Sequence, residues 1–247
     1  MITSADQRKI LKLTTDYWLG QVNDSSFRRI FSGKEIGHRI ADYVDENTTS
    51  LLANNLSTKQ QMHSSGKSMP RSMGDIWVES GGILNPVNVK AGEAGKNGQP
   101  NFVALNKLLG LLLNDVIDSY YLLIVKMKIE GKALEEEVDE TDLEPVKIEP
   151  KIYLVDMLDK LDFVTFDSGP GQLMLKEKQF YEHMETSSSL VEKTLAEKVS
   201  HLVDLREDGD RRLLVNRKDT LDEMRVAAAQ YAKRKDHTIN QERLNFG

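Results

Sequence analysis

Two short β-type runs, at residues 75–79 and 86–90, constrain the fold of this chain more than any other feature. They read DIWVE and PVNVK, and the linker between them, SGGILN, contains two adjacent glycines. Runs of this kind with glycines between them favour an antiparallel hairpin or a bulged turn. Because side chains alternate along a strand, Asn88 and Lys90 share one face while the neighbouring valines enter the core. The sequence therefore predicts polar side chains gathered on one face of a hairpin.

The patterns around this hairpin predict a mixed α/β (α+β) protein. Apolar residues at helical spacing predict a helix in the first 30 residues and a second helix over about 33–46, after a Ser32 cap. A polar Ser/Gly/Pro stretch at 54–74 is typical of a surface loop. The predicted fold is a central mixed sheet of about five strands flanked by helices. Its later elements are an apolar helix from 102, strands in SYYLLIVKMKIE, KIYLVDML and LDFVTFD, and a hairpin turn at DSGPG.

The C-terminal quarter of the chain has a helical pattern at residues 186–205 and again at 219–235. We therefore divide the sequence into a core with N-terminal helices, residues 1–185, and a helical extension, residues 186–247. The extension is either a separate unit or part of the same domain.

Composition narrows the function classes. The sequence has no cysteine, which excludes disulfides, thiolate zinc sites and cysteine nucleophiles. Residues 132–150 hold eight acidic and two basic side chains, so this predicted solvated stretch carries the whole formal charge of −6 and leaves the remainder neutral. A neutral body can still present a basic cleft to phosphates. The sequence has no secretory signal and no apolar run of membrane-spanning length, so we expect a cytoplasmic protein outside the membrane.

The polar residues of the hairpin suit phosphodiester hydrolysis. That reaction uses a cation held by hard oxygen ligands, which polarises the phosphate and activates a water molecule. Asp75 at the start of one strand and Asn88 on its neighbour supply oxygens that can face the same side. Lys90, two residues beyond Asn88, can then stabilise the phosphate. Taken singly, Asp75 could instead end a turn, and Lys90 could be a charge that protects a sheet edge.

This arrangement resembles the PD-(D/E)xK nuclease superfamily, in which an acidic residue on one strand precedes an acidic-x-Lys triplet on the next. The matching residues are Asp75 and Asn88-Val89-Lys90. Gly74 stands where the pattern often has proline. Asn88 is the first residue of the triplet, a position at which some restriction endonucleases of the superfamily also have asparagine. The resemblance covers residues 33–130 loosely. It implies a restriction-endonuclease-like core, one or two Mg²⁺ ions, cleavage of double-stranded DNA to 5′-phosphate products, and a homodimer.

Further candidates follow from the resemblance and from residue type. The amide at Asn88 lacks a charge, so a further acid is expected to help hold the metal. The candidates are Glu35, which we expect among the catalytic residues, Glu79, which we expect to bind the metal, and Glu93. Glu35 could also simply favour the dipole of its helix. Donors suited to phosphates and base edges lie in the loop before Asp75 and at the predicted start of the apolar helix. These DNA-binding candidates are Lys67, Arg71, Lys96, Asn97, Gln99 and Asn101.

Two other functions remain open at this level. One is a non-catalytic DNA-binding or assembly protein, in which the helical ends pair subunits. The other is a phage or repair nuclease that uses the same centre on branched or single-stranded DNA. Divalent-cation-dependent cleavage distinguishes the first from a restriction enzyme, and a panel of substrates distinguishes the second.

Overall fold

The computed structural model describes residues 1–24, 27, 38–59, 74–93, 100–130, 147–186 and 193–245. Within these ranges the chain is a mixed α/β protein, which confirms the predicted fold class. The strands are, in chain order, Thr58–Lys59 (β1), Ile76–Ser80 (β2), Ile83–Glu93 (β3), Asn101–Ala104 (β4), Tyr121–Glu130 (β5), Lys147–Asp156 (β6), Val164–Asp167 (β7) and Gln172–Leu175 (β8). The helices are Ser4–Gln21 (α1), His38–Asn55 (α2), Leu105–Leu113 (α3), Glu177–Thr186 (α4) and Leu195–Asn245 (α5), with a 3-10 helix at Met157–Phe163.

The main sheet has the strand order β1-β2-β3-β5-β6. β2 and β3 form the predicted antiparallel hairpin, with Ile76 opposite Val87. β3 and β5 are parallel, and β5 and β6 are antiparallel, so the sheet is mixed as expected. A smaller sheet has the order β4-β8-β7, and residues 168–171 form the predicted turn between β7 and β8.

The two faces of the main sheet are covered differently. α1 and α2 pack on one face, where Ile10 and Leu52 join a core that includes Val87 and Val89. The other face packs against the small sheet and against helices α3, α4 and α5. Burial of these apolar surfaces on both faces is the main favourable contribution to folding.

Helix α1 begins at a side-chain cap. The Thr3 hydroxyl accepts a hydrogen bond from the Asp6 backbone N–H at 3.2 Å, and Asp6 supplies a negative charge to the first turn. Ile10, Thr14 and Trp18 recur every four residues and are buried against the sheet. This confirms the helix predicted in the first 30 residues.

Three predicted boundaries are wrong. α2 does not end near residue 46 but continues to Asn55, because Val44, Thr48 and Leu52 keep one buried stripe at four-residue spacing. The predicted acidic excursion at 132–150 ends earlier, since Lys147 already begins β6 and pairs with β5. The two helices predicted in the extension form one helix, α5, whose Gly209 lies close against Phe166.

The apolar run from residue 102 also begins differently. Asn101 was expected at the start of a helix, but it lies in β4, opposite Met174 of β8. The helix begins only at Leu105. The first residues of the run form a strand because they pair with β8, and no local sequence pattern indicates this pairing.

None of the helices in the described ranges combines the length and the apolar character that crossing a membrane would require.

Candidate active site

The hairpin strands separate at Asp75. The Asp75 N–H still donates to the Val87 carbonyl at 2.9 Å, but the next donor of β3, the Val89 N–H, bonds to the Asp75 carboxylate at 2.6 Å. A side chain therefore replaces the backbone of β2 at this step. Gly74 allows the separation, because it has a φ of +80° and a Cβ there would lie 2.8 Å from the Val87 carbonyl oxygen. We name this point, formed by residues 74, 75 and 87–91, the strand fork.

A second carboxylate reaches the fork from α2. Asp45 lies close enough to the Ala91 backbone N–H for this donor to lower the pKa of its carboxyl group. Because alternate N–H groups of a strand point to the same edge, Val89 and Ala91 present donors roughly 7 Å apart along one edge of β3. Asp75 and Asp45 therefore lie side by side on the edge that β2 has vacated.

Burial makes both carboxyl groups reluctant to ionise. It raises the pKa of Asp45 to about 7, with the nearby Lys90 opposing the rise and the charge of Asp75 adding to it. Burial also raises the pKa of Asp75, although the hydrogen bond from the Val89 N–H and the charge of Lys90 both lower it. Asp75 as a residue is exposed, yet its bond to Val89 is partly buried, so one carboxylate oxygen is shielded while the residue still reaches solvent. Two acids that repel each other beside one cation indicate a site prepared for additional positive charge.

Asn88 and Lys90 lie on the face of β3 opposite the fully buried Val87 and Val89. Lys90 is half-buried and close enough to both carboxylates to lower their pKa values. Asn88 is 7% exposed, and its amide nitrogen donates to the Phe102 carbonyl of β4 at 2.9 Å. Asp75 and Lys90 therefore share one neighbourhood with Asp45, and Asn88 lies between them in sequence with its side chain toward β4.

Of the remaining sequence-predicted residues, the two with described side chains, Glu79 and Asn101, are not part of the fork. Glu79 is exposed, is hydrogen-bonded by the Ser57 hydroxyl at 3.4 Å, and lies about 13 Å along β2 from Asp75 at the usual rise per residue. Asn101 is exposed on β4, next to the Phe102 that contacts Asn88. Outside the described residues, or without a described side chain, are Glu35, Lys67, Arg71, Glu93, Lys96, Asn97 and Gln99.

Sequence reasoning missed Asp45. The available signal was its position directly after Val44, at the border of the buried stripe of α2, which turns it toward the sheet. Ending the helix near residue 46 concealed that signal, because it left Asp45 in a final turn without a defined face. The same reasoning missed Tyr120, a fully buried residue whose hydroxyl donates to the Phe102 carbonyl at 3.0 Å.

The oxygens at the fork fit a hard divalent cation. Asp45 Oδ1 and Asn88 Oδ1 are buried and accept no hydrogen bond from any described residue. An unpaired buried oxygen costs about 1 to 3 kcal/mol, and a cation would offset this cost. Among the described residues no three histidine, cysteine or carboxylate side chains converge. A set of two carboxylates and one amide suits Mg²⁺, which often completes its shell with water and substrate phosphate.

The chain matches no protein-family model, and no curated protein is significantly similar to it.

Proposed function

We propose that this protein is a Mg²⁺-dependent endonuclease of the type II restriction class, which hydrolyses phosphodiester bonds of double-stranded DNA in the cytoplasm. The observation that carries the proposal is the strand fork. There Asp75 accepts a hydrogen bond from the Val89 N–H, Asp45 lies near the Ala91 N–H, and Lys90 is within electrostatic reach of both carboxylates. The resemblance of Asp75 and the triplet 88–90 to the PD-(D/E)xK pattern supports DNA as the substrate.

The fork residues have separate roles in this reaction. Asp75 and Asp45, in their charged forms, and the Asn88 oxygen would hold the cation. Bound Mg²⁺ supplies polarisation of the phosphate and a lower pKa for the attacking water. Lys90 binds the phosphate oxygens and stabilises the negative charge that develops during attack. Because Lys90 lies within electrostatic reach of two carboxylates, their charges favour an ammonium group at the fork before DNA binds.

Cutting both strands at one site requires two such centres, so the proposal includes a homodimer. Asn101, exposed on β4 next to the Asn88 contact, is a candidate for DNA contact from its position alone. Glu35, Lys67, Arg71, Lys96, Asn97 and Gln99 remain candidates from sequence.

One observation favours a second candidate, a non-catalytic assembly protein. On α5 the apolar residues Leu214, Leu221 and Met224 are 67%, 55% and 64% exposed. They recur at seven- and three-residue spacing and so share one helix face. A partner helix could cover that face without any chemistry at the fork.

The test is incubation of purified protein with phage DNA in Mg²⁺ or in EDTA, followed by gel electrophoresis. Wild type and Lys90→Ala are compared with Lys9→Ala, which removes an exposed lysine from α1. We expect discrete fragments in Mg²⁺ from wild type and Lys9→Ala, and cleavage at least about 100-fold slower from Lys90→Ala. A smear, or cutting of branched or single-stranded DNA alone, would favour the repair or phage nuclease. Intact DNA from every sample would refute the nuclease and favour the assembly protein.

A further inference from the structure

The orientation of the Asn88 amide is set by β4. Its nitrogen donates to the Phe102 carbonyl at 2.9 Å in a buried hydrogen bond. Its oxygen has no hydrogen-bond donor among the described residues. The amide therefore has a bonded end and a free end, and the free end is the oxygen.

Tyr120 also keeps the Asn88 amide from rotating by 180°. The Tyr120 hydroxyl donates to this carbonyl at 3.0 Å, and Tyr120 is fully buried. Its ring packs on the Phe102 ring with centroids 6.1 Å apart. A carbonyl oxygen has two lone pairs, so Tyr120 and Asn88 together saturate it. Turning the amide over would bring its oxygen against an acceptor that has no proton to give.

A carboxylate at position 88 would meet the same obstacle. Aspartate has the shape of asparagine but presents oxygen on both sides, and one oxygen would lie about 2.9 Å from the Phe102 carbonyl oxygen, where the amide nitrogen now donates. The Tyr120 hydroxyl could give its proton to the carboxylate instead, but this would leave the Phe102 carbonyl without a donor. A buried acceptor without a donor is costly.

We infer that the Phe102 carbonyl, saturated by Tyr120, selects an amide at position 88 and leaves its oxygen free to serve as a neutral ligand of the proposed cation. The departure of this chain from an acidic triplet is then a consequence of how β4 crosses β3. The description of Asn88 as a cation ligand rests on the proposed function, whereas the selection of an amide rests only on the hydrogen bonds.

The test compares Asn88→Asp, Asn88→Ala and Asn101→Asp with wild type by thermal unfolding at pH 7.5 in EDTA. Asn88→Ala removes the amide but leaves the Phe102 carbonyl bonded to Tyr120, while Asn101→Asp introduces the same charge at an exposed position of β4. We expect Asn88→Asp to be less stable than Asn88→Ala, with a Tm lower than wild type by about 5 °C or more, and Asn101→Asp to match wild type. If a variant is too unstable to give a melting transition, the yield of soluble protein should rank the variants in the same order. An Asn88→Asp protein as stable as wild type, or more stable than Asn88→Ala, would overturn the inference.

A second readout is Mg²⁺ affinity, measured by isothermal titration calorimetry. An added carboxylate ordinarily tightens binding of a divalent cation. We expect no gain for Asn88→Asp, because its second oxygen must face a carbonyl. Binding about tenfold tighter than wild type would overturn the inference. If wild-type protein binds no Mg²⁺ and cuts no DNA, the proposed function fails, and the order of stabilities in EDTA still decides whether position 88 requires an amide.

Discussion

Replacing Asp45 with asparagine is expected to stabilise the protein at pH 8 while abolishing its proposed activity. Burial raises the pKa of this carboxyl from an ordinary 3.8 to about 7. A folded-state pKa above the unfolded value means that the folded protein holds the proton more tightly. The contribution of Asp45 to the stability of the wild type is therefore fully present below about pH 4 and falls as the pH rises toward 7. Asparagine carries no charge, so Asp45→Asn avoids this loss.

The size of the effect follows from the two pKa values. A rise from 3.8 to about 7 corresponds to at most about 4 kcal/mol. Asp45 is half-buried, and neighbouring charges share the effect, so we expect the stability difference between Asp45→Asn and wild type to change by roughly 2 to 4 kcal/mol between pH 4 and pH 8. The difference is measured by urea unfolding in EDTA at pH 4, 6 and 8.

The matched control is Glu46→Gln, one residue further along α2 and exposed. It removes a carboxylate from the same helix, and Mg²⁺ should stabilise this variant as much as the wild type. Added Mg²⁺ should stabilise the wild type by about 2.7 kcal/mol at one hundred times its Kd and stabilise Asp45→Asn much less. A pH-independent difference for Asp45→Asn, or equal stabilisation of both proteins by Mg²⁺, would refute the assignment of Asp45 to the cation site.

Two further predictions concern the scaffold of the fork. Gly74→Ala should lower the free energy of unfolding by at least about 2 kcal/mol and also slow cleavage, because the added Cβ would lie 2.8 Å from the Val87 carbonyl oxygen. The control is Gly82→Ala, which has a similar φ of +78° but open space around the added Cβ. It should lower the free energy of unfolding by only about 1 kcal/mol. Equal losses in urea unfolding would show that the close approach to Val87 is unimportant. Lys126 and Glu177 form a buried ion pair at 2.7 Å, with side-chain exposures of 8% and 7%. Lys126→Met should therefore lower the free energy of unfolding by about 3 to 5 kcal/mol, because it leaves Glu177 buried without its partner cation. The double variant Lys126→Met, Glu177→Leu should lose much less. A double variant as unstable as the single one would contradict the view that an unpaired buried charge causes the loss.

The hairpin and its polar face could be predicted from the sequence because their determinants are local. Asp75 and Asn88 are 13 positions apart, the glycines between them favour a turn, and the alternation of the strand decides which side chains share a face. The strand order that places β5 parallel to β3 has no such local signal, yet it brings Tyr120, just before β5, beside Asn88.

The rest of the site depends on contacts between distant segments. Asp45 reaches the fork only because α2 packs across β3, some 45 residues further along the chain. The Phe102 carbonyl reaches Asn88 because β4 pairs with β8, whose Met174 lies opposite Asn101. Propensity and spacing contain no information about such pairings, so the sequence predicts the further acid at Glu35, Glu79 or Glu93 and a helix in place of β4.

The most direct test of the central claim is cleavage of phage DNA in Mg²⁺ by wild type, Asp75→Asn and Glu79→Gln. Both variants remove one carboxylate from the β2 segment, but only Asp75 lies at the fork. We expect Asp75→Asn to cut at least about 100-fold more slowly than wild type, because it weakens a charged ligand, and Glu79→Gln to cut at the wild-type rate. Undiminished cutting by Asp75→Asn, or an equal loss in Glu79→Gln, would contradict it.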